Sequence, residues 1–290
     1  MSSLSVSETN ELSPFDALLP VYDFEKTAIF ALKSDPRFHY CMYIPRGLGR
    51  DEKVELFVAI HGSSRTSYLE FRDGFADFGR WNRCAILCPV FPIGVLGDGG
   101  RHGYKYMEEG DIRYDEVLLS MVAEVEAKYQ QDWSQFALFG YSGGGHFAHR
   151  FAIMHPSKLW AACIGAPGSV TLLDTSKNWW VGIADLKERF GIDFDAEALA
   201  RLPVQMLVGE VDLQTWEITH KPGTKYWMEG ANEAGTTRPE RLDSLRRSFE
   251  SVGVKVRLDL VPGVSHDRLK FLNRVQDFLA GVLKERRGPA

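Results

Sequence analysis

An α/β fold, with a mostly parallel central sheet and helices on both faces, is the architecture this chain predicts. Six apolar runs of five to seven residues punctuate it, and continuous apolarity of that length suits strands buried on both faces of a parallel sheet. Stretches with the 3.6-residue period of amphipathic helices lie between them. Strand alternating with helix is the order that places helices over both faces of one sheet. The size agrees: 290 residues, 44% hydrophobic and 25% charged, suffice for one such sheet, which commonly spans about 250 residues. The same composition excludes disorder, collagen and coiled coil.

Residues 1–20 read as an N-terminal extension and 21–290 as a single domain. Residues 27–33 and 39–44 flank the turn-forming Ser34-Asp35-Pro36 and predict an antiparallel hairpin. The buried strands follow at 54–60 (VELFVAI), 84–90 (CAILCPV), 136–141 (FALFGY), 159–164 (LWAACI), 204–208 (VQMLV) and 256–261 (VRLDLV). The clearest helix spans 111–129, with Tyr114, Leu118, Met121, Val122, Val125 and Tyr129 on one stripe and Asp111 as N-cap. Further helices are expected at 147–154, 239–252 and 269–283. Residues 168–202 and 213–238 exceed the usual connection of about 2–6 residues in α/β units and read as binding segments. The first, with Trp179 and Trp180 and two short helical patterns at 183–190 and 195–202, is expected to form a small lid.

Lys and Arg number 34 against 39 Asp and Glu, a formal net charge of −5, with no basic block beyond residues 284–287. A nucleic-acid partner is disfavoured. Cys41, Cys84, Cys88 and Cys163 form no C-x-x-C pair and are too sparse for a disulfide framework, so they read as reduced core residues. No apolar run reaches the roughly 18 residues of a membrane span, and residues 1–13 lack the basic and apolar regions of a secretory leader. We expect a cytoplasmic protein. The sequence leaves oligomeric state open, a homo-oligomer included.

Gly140-Tyr141-Ser142-Gly143-Gly144 matches G-x-S-x-G. An apolar strand runs into it and a helix opens from its glycines, the strand, tight turn and helix that expose a nucleophilic serine. A serine hydroxyl needs a base to take its proton and a third group to orient that base. His266 follows the last strand, where parallel sheets gather their sites. Asp212 follows the preceding strand, and the order Ser, acid, His is the one this turn motif uses. Glu210 lies close enough to compete, but Asp212 stands farther past the strand end and nearer the base. Acyl transfer also needs oxyanion donors. The N–H of Gly143 is one, and the loop His61-Gly62-Ser63-Ser64 after the strand at 54–60 offers Ser63 as the second.

On these residues the chain resembles the α/β-hydrolases over roughly 38–283. The block from Arg113-Tyr114-Asp115 through Tyr141-Ser142-Gly143-Gly144 to His155-Pro156 is similar to the intracellular esterase and polyhydroxyalkanoate-depolymerase-like branch. The resemblance implies a cofactor-free serine hydrolase with Ser142, Asp212 and His266 as triad. Ser63-Ser64 stands where some lipases of the superfamily continue an H-G-G-G run.

His146 and His149 have a helical spacing that can bind metal, but no further ligand completes a set, and no metal is expected. Trp179, Trp180, Trp216, Tyr226 and Trp227 lie in the two long segments and are candidates for an apolar or aromatic substrate pocket. The glycine-rich loop 97–110 contains no phosphate-cradling motif. Its Arg101, His102 and Lys105 are candidates to meet an acidic group of the substrate. Three functions fit: hydrolysis of a small carboxylic ester through an acyl-enzyme, the same triad acting on a C–C or amide bond, and a non-catalytic binding protein of this fold.

Overall fold

A computed structural model of the chain describes residues 19–48 and 53–288. All but the last two residues of the extension read at 1–20 lie outside the described residues. Two short strands, β1 (Glu25–Lys26) and β2 (Phe30–Ala31), both pair antiparallel with β3 (His39–Ile44). The hairpin read at 27–44 is therefore present, with Phe30 opposite Tyr40, but its first arm is only two residues long.

Then follow β4 (Glu55–Ile60), the short helices α1 (Ser67–Gly74) and α2 (Ala76–Asn82), β5 (Cys84–Val90) and the one-turn α3 (Gly103–Tyr106). A two-stranded ribbon, β6 (Glu108–Glu109) with β7 (Ile112–Arg113), leads into α4 (Tyr114–Tyr129). The second half runs β8 (Phe136–Tyr141), α5 (Gly143–Met154), β9 (Leu159–Gly165), α6 (Leu186–Phe190), α7 (Ala196–Arg201), β10 (Val204–Gly209), α8 (Arg238–Glu250), β11 (Val256–Val261) and α9 (Leu272–Arg287).

The sheet order is β1-β3-β5-β4-β8-β9-β10-β11, with β2 also on β3, and every pair from β5 to β11 is parallel. Every residue of β4, β8, β9 and β10 is buried, so the centre of the sheet is covered on both faces. The chain order reverses direction at β4, which lies between β5 and β8. Clefts form beyond the C-terminal strand ends at such a switch point. None of the described helices is long and apolar enough to cross a membrane.

Three readings need correction. The helix expected from Asp111 begins at Tyr114, and Asp111 instead occupies the two-residue turn of the β6–β7 ribbon beside Gly110, whose φ is +61°. A glycine at positive φ closes such a turn, and the ribbon takes the residues that would have been the first helical turn. The apolar run of β11 is not buried on both faces: it ends the sheet, with Leu258 and Leu260 41% and 48% exposed. The segment between β4 and β5, for which no helix was expected, holds two. Phe71, Phe75 and Phe78, spaced i, i+4, i+7, pack in a cluster in which Phe57 meets Phe75 at 4.9 Å and Phe78 at 6.4 Å. The four cysteines are free and buried, with Cys41 opposite Cys88 in the β3–β5 register.

Candidate active site

Ser142 stands between β8 and α5 with φ +58° and ψ −115°, backbone strain of the kind concentrated at functional turns. Its N–H donates to Gly165 O at 2.8 Å, which ties the turn to β9. The flanking glycines are sterically required: a Cβ at Gly140 would collide with the Gly144 carbonyl, and one at Gly144 with the Ile60 carbonyl. The strand, turn and helix are thus packed too closely for side chains.

His266, after β11, and Asp212, after β10, meet because those two strands are neighbours in the sheet. The His266 Nδ1 donates to Asp212 Oδ2 at 2.6 Å. That bond places the proton on Nδ1 and leaves Nε2 free to accept one. Asp212 is buried, and its second oxygen accepts from Arg238 Nη1 at 2.9 Å. Glu210 is exposed and accepts the Gly263 N–H at 3.2 Å, bracing the loop that carries His266 without reaching its ring. Tyr141, just before Ser142, lies beneath His266 with ring centroids 5.0 Å apart.

Ser63 and Gly143 lie together. A Cβ built on Gly143 would stand 3.0 Å from the Ser63 N and against the buried Tyr104 hydroxyl. Gly143 opens α5, where backbone N–H groups have no intrahelical acceptor. The preceding loop is rigidly held. The His61 Nε2 accepts the Phe91 N–H at 2.9 Å, its Nδ1 is 2.9 Å from Gly62 O, and burial pushes its pKa down to about 3. Arg65 donates to the carbonyls of Ser63, Phe91 and Arg101.

Ser142, His266 and Ser63 line one cavity of about 920 Å³. His102, Trp216 and Tyr226 line it as well, Trp216 being 72% exposed. Trp179 and Trp180 do not. Both are buried one layer behind it, their indoles donating to the carbonyls of Tyr106 and Tyr226, each at 3.0 Å. Tyr106 and Tyr226 form the wall itself, stacked at 3.9 Å. The lid expected at 168–202 accordingly contributes only Gly168 to the lining, and residues 216–226 of the second long segment cover the cavity instead. Each indole N–H finds its acceptor at the back of the wall, and both rings lie away from the opening.

His146 and His149 clip that segment to α5. Gly168 N–H donates to His146 Nε2 at 2.8 Å and Thr171 N–H to His149 Nε2 at 3.0 Å. The second ring nitrogens are also engaged, with the Ser169 hydroxyl and Gly145 O respectively. Burial holds both pKa values well below the usual histidine range.

The structure resembles a poly(aspartic acid) hydrolase from Sphingomonas sp. KT-1, with a TM-score of 0.65 at 18% identity over 83% of this chain and 92% of that one. It also resembles a poly(3-hydroxybutyrate) depolymerase from Bordetella parapertussis, with a TM-score of 0.67 at 22% identity over 87% and 85% of the two chains. The fold is that of an α/β-hydrolase. An S-formylglutathione hydrolase from Agrobacterium tumefaciens has the same architecture, with a TM-score of 0.57 at 18% identity over 90% and 95%. No protein-family profile and no curated sequence matches the chain.

Within this α/β-hydrolase fold, sequence reasoning missed Arg238. Thr237 caps α8 and forms a reciprocal capping box with Glu240, which holds Arg238 buried at the first helical position. Its other arm donates to Glu217 Oε2 at 3.1 Å. The capping pattern Thr237-x-x-Glu240 was legible in the sequence; the partner of Arg238 was not, since Asp212 lies 26 residues away.

Proposed function

We propose that this protein hydrolyses carboxylic esters of small organic molecules through an acyl-enzyme. Ser142 Oγ attacks the ester carbonyl as His266 Nε2 takes its proton, and Asp212 holds the imidazole in the required tautomer and stabilises the imidazolium. The N–H groups of Ser63 and Gly143 receive the oxyanion, and collapse expels the alcohol with the proton from His266. Water then repeats the sequence on the acyl-enzyme and returns the free hydroxyl to Ser142. The observation that carries this reading is the 2.6 Å bond from His266 Nδ1 to Asp212, on a histidine that opens onto the same cavity as the strained Ser142. The solved neighbours, hydrolases and a depolymerase, support it at the level of fold.

Intact mass after treatment with a fluorophosphonate tests it. The expected result is one adduct, absent from Ser142→Ala, with turnover of short-chain esters lost by about 10⁶-fold in kcat. A protein that stays unlabelled and inert would be a binding member of the fold. Turnover of an amide or β-diketone in preference to every ester of the panel would move the same triad to a different bond.

A further inference from the structure

Lys105 lies in α3, is 8% exposed, and lines the cavity that holds Ser142. Among the described residues its ammonium has neither ion pair nor hydrogen bond. The two carboxylates of the lining are already engaged. Glu109 holds Lys225 at 3.3 Å and the Tyr114 hydroxyl at 3.1 Å, and Glu217 holds Arg238. At the rim, the exposed Arg101 and Lys221 have no carboxylate partner among the described residues either.

Behind the wall stand three more buried cations. Arg65, Arg150 and Arg241 each donate to backbone carbonyls, of Ser63, Lys105 and Gly168 respectively, and none forms an ion pair among the described residues. In a chain of net charge −5, six Lys and Arg side chains against two carboxylates line the cavity that holds Ser142. A lysine whose stem is packed into the wall and whose ammonium faces the cavity without a counter-charge of its own is placed to meet an anion that enters.

We propose that Lys105 anchors a carboxylate of the substrate, so that the cavity takes esters carrying a free acid group, such as half-esters of dicarboxylic acids. This rests on the ester-hydrolase reading and narrows it away from the apolar pocket that the tryptophans suggested. One ammonium without an ion pair matches a singly charged carboxylate. Burial, with Arg65, Arg150 and Arg238 opposing and Glu217 favouring the charge, lowers the Lys105 pKa to about 7. An entering carboxylate supplies the missing counter-charge and holds the ammonium protonated.

The test pairs mono(4-nitrophenyl) adipate with its methyl ester, which replaces the charge by one methyl group and leaves the 4-nitrophenyl leaving group the same. The native enzyme should favour the acid by at least tenfold in kcat/KM, and Lys105→Met and Lys105→Gln should each erase that preference, chiefly through KM. Equal preference in native and variant enzymes overturns the proposal. Calorimetric binding of adipate to Ser142→Ala, with and without Lys105→Met, keeps the two readings apart. Adipate bound only when Lys105 is present supports the anion site even if no ester is turned over. Adipate bound equally by both, or by neither, overturns it whatever the esterase activity.

Discussion

Asp212 receives His266 Nδ1 on one carboxylate oxygen at 2.6 Å and the Arg238 guanidinium on the other at 2.9 Å. The contact with His266 joins residues 54 positions apart, from loops following adjacent strands. A buried carboxylate with both oxygens engaged by charged or polar donors is held against the imidazole, so the orientation of the His266 ring is set by the fold itself.

Asp212→Asn and Glu210→Gln should therefore separate cleanly. The first keeps the shape but offers the imidazole the wrong hydrogen-bonding partner, a loss of about 10⁴ in kcat in the serine-protease precedent. The second removes only a brace on the Gly263 N–H and should have a small effect. Steady-state kcat of the two variants side by side decides; the reverse pattern would move the acid to Glu210.

On the proposed mechanism, Arg238→Met should lower kcat by less than Asp212→Asn does, with KM little changed, because it acts on His266 through Asp212. It also leaves a buried carboxylate short of one partner, and breaking such a pair costs about 3–5 kcal/mol of stability. Arg238→Lys should recover part of both. Kinetics and denaturant melts of the two variants would detect this, and a wild-type kcat in Arg238→Met would dismiss the positioning role.

Trp180→Ala should act on stability, by about 3–5 kcal/mol as for buried aromatics generally, because the ring is buried behind Tyr106 and Tyr226. Tyr226→Ala removes a residue of the wall and should raise KM for every substrate that fills the cavity. A Trp180→Ala protein of unchanged denaturation midpoint would contradict this division of labour.

Stability should fall as the solution is acidified from pH 6.5. His61, at about 3, and His146 and His149, well below the usual range, stay neutral when folded, but titrate near 6.5 in the unfolded chain. Below 6.5 the unfolded state therefore binds more protons, and each such histidine removes about 1.4 kcal/mol of stability per pH unit until its folded pKa is reached. Denaturant midpoints from pH 7.5 to 5 measure the slope. A flat profile would mean that the buried imidazoles accept protons without unfolding.

By itself the sequence determined the parallel strands at the centre, the serine turn and the placing of Ser142, Asp212 and His266 just past strand ends. All of these are written in short windows: an apolar run, a glycine spacing, a residue just past a strand end. Asp212 could be preferred to Glu210 on that basis because its distance past the end of β10, three residues against one, is itself a local quantity. Only the tertiary structure decided the rest. The run in β11 reads like that in β10, yet one strand ends the sheet and the other is enclosed. Which long segment walls the cavity depended on where two indole N–H groups found carbonyls, in Tyr106 and Tyr226, 73 and 46 residues away. The meeting of Arg238 with Asp212, and the lack of an ion pair at Lys105 among the described residues, are likewise properties of packing. Charge pairing and burial are set by neighbours in space, and no window of sequence contains them.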